Sequence, residues 1–177
     1  MNKASEAALV ARVALLGDKQ AFGTLAETYE APIRRFLHHL CGDEELSKDL
    51  AQEAFVKAWL NIASFRAAAR FSTWLHRIAY NEFLDDVRTQ KLRVNIDSVA
   101  GNLAATAHNS DRTMDFARAL ATLSGNEKTA MLLFYMEDFT VQKIEQIMNC
   151  PAGTVKSLLH RGKEKLADYL KNSGYDK

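Results

Sequence analysis

Apolar residues recur along this chain at intervals of three and four almost from end to end, and that period predicts helix after helix. Leu9, Val13 and Leu16 mark one side of a short helix over Ser5 to Leu16, closed by Gly17-Asp18. Phe22, Leu25, Ala26 and Tyr29, then Ile33, Phe36, Leu37 and Leu40, mark a helix or helix pair over Ala21 to Cys41. Pro32 falls inside it and is expected to start a new turn or kink the helix. Leu46, Leu50, Ala54, Phe55, Ala58 and Trp59 form the next stripe, and Phe71, Trp74, Leu75, Ile78 and Ala79 the one after. Ser72 or Thr73 is expected to cap the latter. His76, Arg77, Tyr80, Asn81, Asp85 and Arg88 are expected to point away from that stripe.

From Thr89 to Arg112 the period is lost. Ala, Asn, Ser, Thr and Asp replace large apolar residues, the composition of a flexible linker. Helical spacing resumes at Met114, Phe116, Ala117, Leu120 and Leu123. Ser124-Gly125-Asn126-Glu127 fits a capping box ahead of Met131, Leu132, Phe134 and Tyr135. Thr140 is placed to cap a short helix carrying Ile144, Ile147 and Met148. Asn149-Cys150-Pro151 turns the chain, with Pro151 expected at the first position of a last helix bearing Val155, Leu158, Leu159, Leu166, Tyr169 and Leu170. The chain therefore reads as all-α, with two small helical domains over residues 1–90 and 113–177 and a linker over 91–112.

Composition supports this and narrows the function. A hydrophobic share of 47% and a charged share of 25% belong to a folded chain, and 8 Gly with 2 Pro are too few for an all-β chain of tight turns. The net charge of +1 is too small for strong DNA binding by the whole surface, so any such contact must come from local basic faces or with help from a partner. Cys41 and Cys150 make no metal motif and no disulfide framework. His38 and His39 are adjacent and do not share a helix face, so no metal is expected. No stretch approaches the roughly 20 apolar residues of a membrane span, so no membrane insertion and a cytoplasmic location are expected. There is no Gly-rich phosphate loop, zinc signature or nucleophile motif, and Asp85-Asp86 diverge on a helix. Neither catalysis nor a cofactor is expected.

Two faces carry chemistry. The outer face of the Phe71 helix mixes cations, an amide and an aromatic, a set suited to phosphates and unstacked bases. The two helices around Asn149-Cys150-Pro151 have the form of a helix-turn-helix, with Thr154, Lys156, Ser157, His160, Arg161 and Lys163 as solvent-facing candidates for phosphates and guanine edges.

The stretch Asp49-Leu50-Ala51-Gln52-Glu53-Ala54-Phe55, with Phe65-Arg66 and then Phe71-Ser72-Thr73-Trp74-Leu75-His76-Arg77-Ile78-Ala79-Tyr80-Asn81, resembles region 2 of the sigma-70 family in its extracytoplasmic-function (ECF) group. Cys150-Pro151-Ala152-Gly153-Thr154-Val155-Lys156-Ser157, followed by Arg161, resembles region 4. The resemblance implies a sigma factor that binds bacterial core RNA polymerase, directs promoter-specific initiation and is regulated by an anti-sigma factor. It implies polymerase contacts at Asp49, Gln52, Glu53 and Phe55, with Asp49 and Glu53 supplying charge. It implies minus-ten promoter DNA contacts at Asn61, Ser64, Phe65, Arg66, Arg77, Tyr80 and Asn81, including capture of a flipped base by the loop around Asn61 to Arg66. It implies minus-thirty-five contacts at Thr154, Lys156, Ser157, His160, Arg161 and Lys163.

The sequence departs from the family in places. Lys143-Ile144-Glu145 stands where Glu-Ile-Ala is common, so a usually small inward position carries a long acid. Leu158 stands where Arg is common, and Arg161-Gly162-Lys163 where Arg-Ala-Arg is. Ser47-Lys48 replaces a more acidic pair, which is expected to weaken the polymerase-facing charge. Two other readings predict different behaviour. A stand-alone helix-turn-helix regulator would bind its operator as a dimer without polymerase, and a helical adaptor would bind only protein.

Overall fold

The computed structural model describes residues 3–65, 70–96 and 111–172, and every regular element among them is helical, as the apolar period requires. The chain divides into two compact units, Met1–Leu103 and Ala104–Lys177. The first holds α1 (Lys3–Leu16), α2 (Lys19–Cys41), α3 (Glu44–Asn61), a single 3₁₀ turn (Ile62–Ser64) and α4 (Phe71–Ile96). The second holds α5 (Asp111–Ala121), α6 (Gly125–Tyr135), α7 (Val141–Met148) and α8 (Ala152–Asn172). Helix thus enters the stretch read as linker from both sides; the rest of that stretch, 97–110, lies outside the described residues.

In the first unit α2 packs against α1, α3 and α4, and α3 packs against α4. The core is Leu25, Ile33, Phe36 and Leu37 from α2, with Phe71, Leu75 and Ala79 from α4. Ala51, Ala54 and Ala58 make the buried side of α3 small, which lets its backbone lie close to its neighbours. Asp18 caps α2 by accepting from the N–H groups of Gln20 and Ala21, and Asp43 caps α3 through Leu46 N–H. Gly17 and Gly42 close the preceding helices in the left-handed region, at φ 61 and 74.

Several expectations change here. Of the helix or helix pair expected over Ala21 to Cys41, the structure shows one continuous helix with Pro32 inside it. Proline lacks the N–H that would bond to Thr28 O, and its ring crowds that carbonyl, but the buried stripe running from Leu25 to Leu40 holds both halves of α2 to the same core. In α1 the buried side is Glu6, Val10 and Val13, and Leu16 is exposed. Ser72 and Thr73 are not caps: α4 already begins at Phe71, and the N–H groups of Thr73 and Trp74 bond to Arg70 O. The cap comes from α1, where Glu6 Oε1 accepts from Phe71 N–H at 3.1 Å.

In the second unit α6 packs against α7 and α8, and α5 packs against α8. Leu132, Leu133, Ile144, Ile147 and Val155 make its core. The capping box at Ser124 and Glu127 is formed in both directions. Thr140 stands at the cap of α7, but its side chain makes no capping bond. Pro151 precedes α8 rather than opening it, and its carbonyl accepts from the N–H groups of Thr154 and Val155.

Candidate nucleic-acid interface

Three surfaces carry the predicted site residues. The first is the outer face of α3. Asp49, Gln52 and Glu53 are exposed at spacings of three and four, so they are surface neighbours. Phe55 is half-buried. The same line continues to Val56 and Leu60, which are exposed at 46% and 72%. Sequence reading passed over these two, although Leu60 is a large apolar residue directly after the last member of the apolar stripe. Isolated exposed leucines are ordinary; here two apolar residues extend a line of two acids and an amide, which makes a mixed surface suited to a protein partner. Ser47 is buried, with its hydroxyl donating to Glu44 O, and does not present itself to a partner. Lys48 is paired with Glu44 and Glu45 at 3.2 and 2.7 Å, so its charge is already offset.

The second surface runs from the end of α3 to the outer face of α4. Asn61 and Ser64 are exposed. Asn61 Nδ2 donates to Lys57 O at 2.8 Å, and Ser64 Oγ donates to Asn61 O at 2.7 Å, so both side chains also close the helix end. Phe65 is half-buried against Phe71 and Trp74, with ring centroids 6.0 and 5.4 Å away. Arg66 lies outside the described residues. On α4, Arg77 and Asn81 are exposed four residues apart on one face. Tyr80 is not with them. It is 4% exposed, and His76, one turn before it, is buried as well. His76 Nδ1 lies 2.8 Å from Ser72 O, and its ring is 5.4 Å from that of Phe36. The reason is the width of the buried side. α4 packs against both α2 and α3, so the core takes residues that a single stripe would leave outside. Asp85 and Arg88 remain outside, paired with each other at 2.9 Å.

Lys57 on α3 joins Glu82 on α4 at 2.6 Å, tying the first surface to the second. The carboxylate is nearly buried, and its hydrogen bond raises the Lys57 pKa by favouring the ammonium.

The third surface is α8 with the turn before it. Asn149 takes the left-handed region at φ 50 and ψ 48, which asparagine tolerates better than most residues, and its N–H bonds to Glu145 O. That turn sets α8 after α7. Val155, Leu158 and Gly162 form the inward side of α8. Thr154, Lys156, Ser157, His160, Arg161 and Lys163 are all exposed, as expected. Leu158 is therefore a core residue, and Glu145 is half-buried rather than enclosed. Gly162 also has a packing role. A Cβ there would lie 2.8 Å from Met131 Cγ and 3.1 Å from Met131 Sδ.

Beneath this surface lies Glu127, which sequence reading treated only as a cap. Its Oε2 accepts from Ser124 N–H at 2.9 Å and from Lys165 Nζ at 2.7 Å. Arg161 Nε lies 3.7 Å from its Oε1. The Lys165 hydrogen bond, then that of the Ser124 N–H, lowers the Glu127 pKa to about 2. The signal was present in the sequence only as an acid in a capping box; its pairing with residues more than thirty positions away was not.

Among the described residues, no cluster of His, Cys, Asp and Glu could hold a metal ion, and no helix is long and apolar enough to cross a membrane.

The Sigma-70 region 2 family matches residues 25–93, and the Sigma-70, region 4 family matches residues 113–166. The chain is 31% identical over 172 residues to the ECF RNA polymerase sigma factor SigW of Bacillus subtilis, covering 88% of this chain and 92% of that one. It is also 31% identical over 185 residues to the ECF RNA polymerase sigma-E factor of Haemophilus influenzae, covering 94% and 95%. Among solved structures it is similar to the sigma factor RpoE in complex with the anti-sigma factor NepR from Bartonella quintana. That match has a TM-score of 0.74 and 28% identity and covers 85% of this chain and 96% of that one. The fold is also that of CnrH, solved with the cytosolic domain of CnrY, at a TM-score of 0.72 and 20% identity over 95% and 98% of the two chains.

Proposed function

From the premise that this chain belongs to the ECF group of the sigma-70 family, we propose how its surfaces divide the work of that family. The protein is an alternative sigma factor. It binds bacterial core RNA polymerase and promoter DNA, directs promoter-specific initiation, and is not an enzyme. It is regulated by an anti-sigma factor, a reading supported by its likeness to the NepR-bound RpoE. It works in the cytoplasm, where the polymerase is.

Residues 1–90 bind polymerase and the minus-ten element, and residues 113–177 bind the minus-thirty-five element. Asp49, Gln52 and Glu53 dock on a basic surface of polymerase, with the exposed Val56 and Leu60 extending the contact. Phe55, half-buried on the same helix, backs that face. Asn61, Ser64, Phe65 and Arg66 receive the flipped base, while Arg77 and Asn81 hold the opened strand. Tyr80, being buried, supports that helix from beneath. Thr154, Lys156, Ser157, His160, Arg161 and Lys163 meet the minus-thirty-five element. The single observation behind this last assignment is that all six residues are exposed on one helix that begins at a tight turn. A near-neutral chain gains promoter affinity by acting at two modest sites while held to polymerase.

The test is transcription in vitro from a pool of genomic promoter fragments, with purified protein and core polymerase. Specific transcripts that need both components are expected. Arg161→Ala and Lys156→Ala should reduce use of promoters that depend on the upstream element while leaving polymerase binding intact. Asp49→Ala with Glu53→Ala should weaken polymerase binding. Unchanged promoter use in the first pair would remove the α8 assignment, and unchanged affinity in the second would remove the α3 assignment.

A further inference from the structure

We infer that Glu127 is a positioning residue for Arg161, an electrostatic tether from α6 that orients the guanidinium on the DNA-facing side of α8 and so sets how sharply the upstream promoter element is discriminated. The inference rests on the reading of α8 given above. Three observations carry it. Glu127 is 4% exposed, so its carboxylate is fixed in the domain and does not face DNA itself. The atom of Arg161 nearest to it is Nε, at 3.7 Å. Meanwhile the Arg161 side chain is 57% exposed.

That geometry divides the guanidinium in two. The Nε edge faces the carboxylate, and the two terminal nitrogens make up the far end of the fork. Those two nitrogens suffice for a bidentate contact with a guanine edge or a phosphate. A free arginine samples many rotamers and loses that freedom on binding; one already oriented loses less. Lys165 completes the arrangement. It bonds the other carboxylate oxygen at 2.7 Å, so the acid is shared between two cations and the group keeps a net positive charge. Glu127 thus restrains Arg161 without cancelling the charge that α8 offers to DNA.

The test uses the full chain with core polymerase on a promoter recovered by the transcription assay above. Binding is measured to that promoter and to the same fragment with its upstream element scrambled, across a range of salt. The proteins are wild type, Glu127→Gln, Arg161→Ala, the double variant and Lys165→Met. Glutamine can serve the same capping box, so Glu127→Gln removes charge while keeping a capping acceptor. Glu127→Gln is expected to lower the ratio of specific to scrambled binding by about two- to five-fold, the range of a partly exposed ion pair, and to tighten binding to the scrambled fragment. In the Arg161→Ala background it should change that ratio no further. Lys165→Met leaves the carboxylate to Arg161 alone and should raise the ratio, whereas an unchanged ratio counts against the tether. That variant keeps the test valid even if Glu127→Gln fails to fold. An equal loss with and without Arg161, or a loss in Lys165→Met like that in Glu127→Gln, would reduce Glu127 to a structural cap. If Arg161→Ala itself leaves the ratio intact, the assignment of α8 to the upstream element fails and takes the tether with it.

Discussion

Glu6 Oε1 accepts a hydrogen bond from the backbone N–H of Phe71 at 3.1 Å, across 65 positions of sequence. The other oxygen, Oε2, accepts from the hydroxyl of Tyr29 on α2. One buried carboxylate thus joins three helices, and it lies at the positive end of α4, where a negative charge is favoured. Burial, then the hydrogen bond to Glu6, raises the Tyr29 pKa and keeps its hydroxyl protonated as a donor. Phe71 starts the helix that carries Arg77 and Asn81, so α1 braces the candidate minus-ten surface from behind.

Glu6→Ala should destabilise the first unit by about 2 kcal/mol, because it strands a buried hydroxyl and a helix N–H at once. Tyr29→Phe should cost less, since it removes one donor and leaves Phe71 capped. Denaturant unfolding followed by circular dichroism measures both. A Glu6→Ala midpoint equal to wild type would show that the N–H and hydroxyl find water instead.

Gly162→Ala should lower stability although alanine favours helix by about 1 kcal/mol. The new methyl would meet Met131 Cγ at 2.8 Å, and overpacking of this kind costs about 1–3 kcal/mol. Because methionine is flexible, the expected net loss is small, about 1 kcal/mol. Met131→Ala in the same chain should make Gly162→Ala stabilising. A thermal midpoint for Gly162→Ala at or above wild type would show that Met131 yields freely.

Acid should weaken the second unit through Glu127. Its folded pKa of about 2 lies below the ordinary 4.5, so its contribution is complete above about pH 4.5 and is lost as pH falls towards 2. Unfolding at a series of pH values should show this slope in wild type. Glu127→Gln should flatten it, and an identical slope in both proteins would assign the acid sensitivity to other carboxylates.

Leu60→Ser should weaken binding to core polymerase while changing stability by no more than about 0.5 kcal/mol, as expected for a residue 72% exposed. Binding measured by surface plasmon resonance, beside an unfolding curve, separates the two effects. Full polymerase affinity in the variant would remove Leu60 from the docking face.

Much of the fold was legible because helices announce themselves locally. The apolar period located the helices, and Gly17 and Ser124 marked helix ends through their own backbone or side-chain bonding. Exposed site residues were legible for the same reason. Asp49, Gln52 and Glu53 on α3, and Lys156, His160 and Arg161 on α8, lie opposite narrow buried stripes that a helical wheel describes well. The reading failed on α4 and α1. Tyr80 and His76 went inside because α4 packs against α2 and α3 at once, and a wheel does not show how many neighbours a helix has. On α1 Leu16 is exposed, and Glu6 went inside because a buried partner for an acid can lie anywhere in the chain.

By itself the sequence determined the helical class, the positions of the helices, the resemblance to regions 2 and 4 and the polar faces that follow from them. Those features depend on residues within a turn or two of each other, or on short ordered motifs. The tertiary structure alone decided which polar groups became structural. Glu6 on Phe71 and Tyr29, Lys57 on Glu82, and Glu127 on Lys165 and Arg161 are pairings between different helices. A charge or hydroxyl withdrawn from water must find a partner, and only packing brings residues so far apart in sequence within reach.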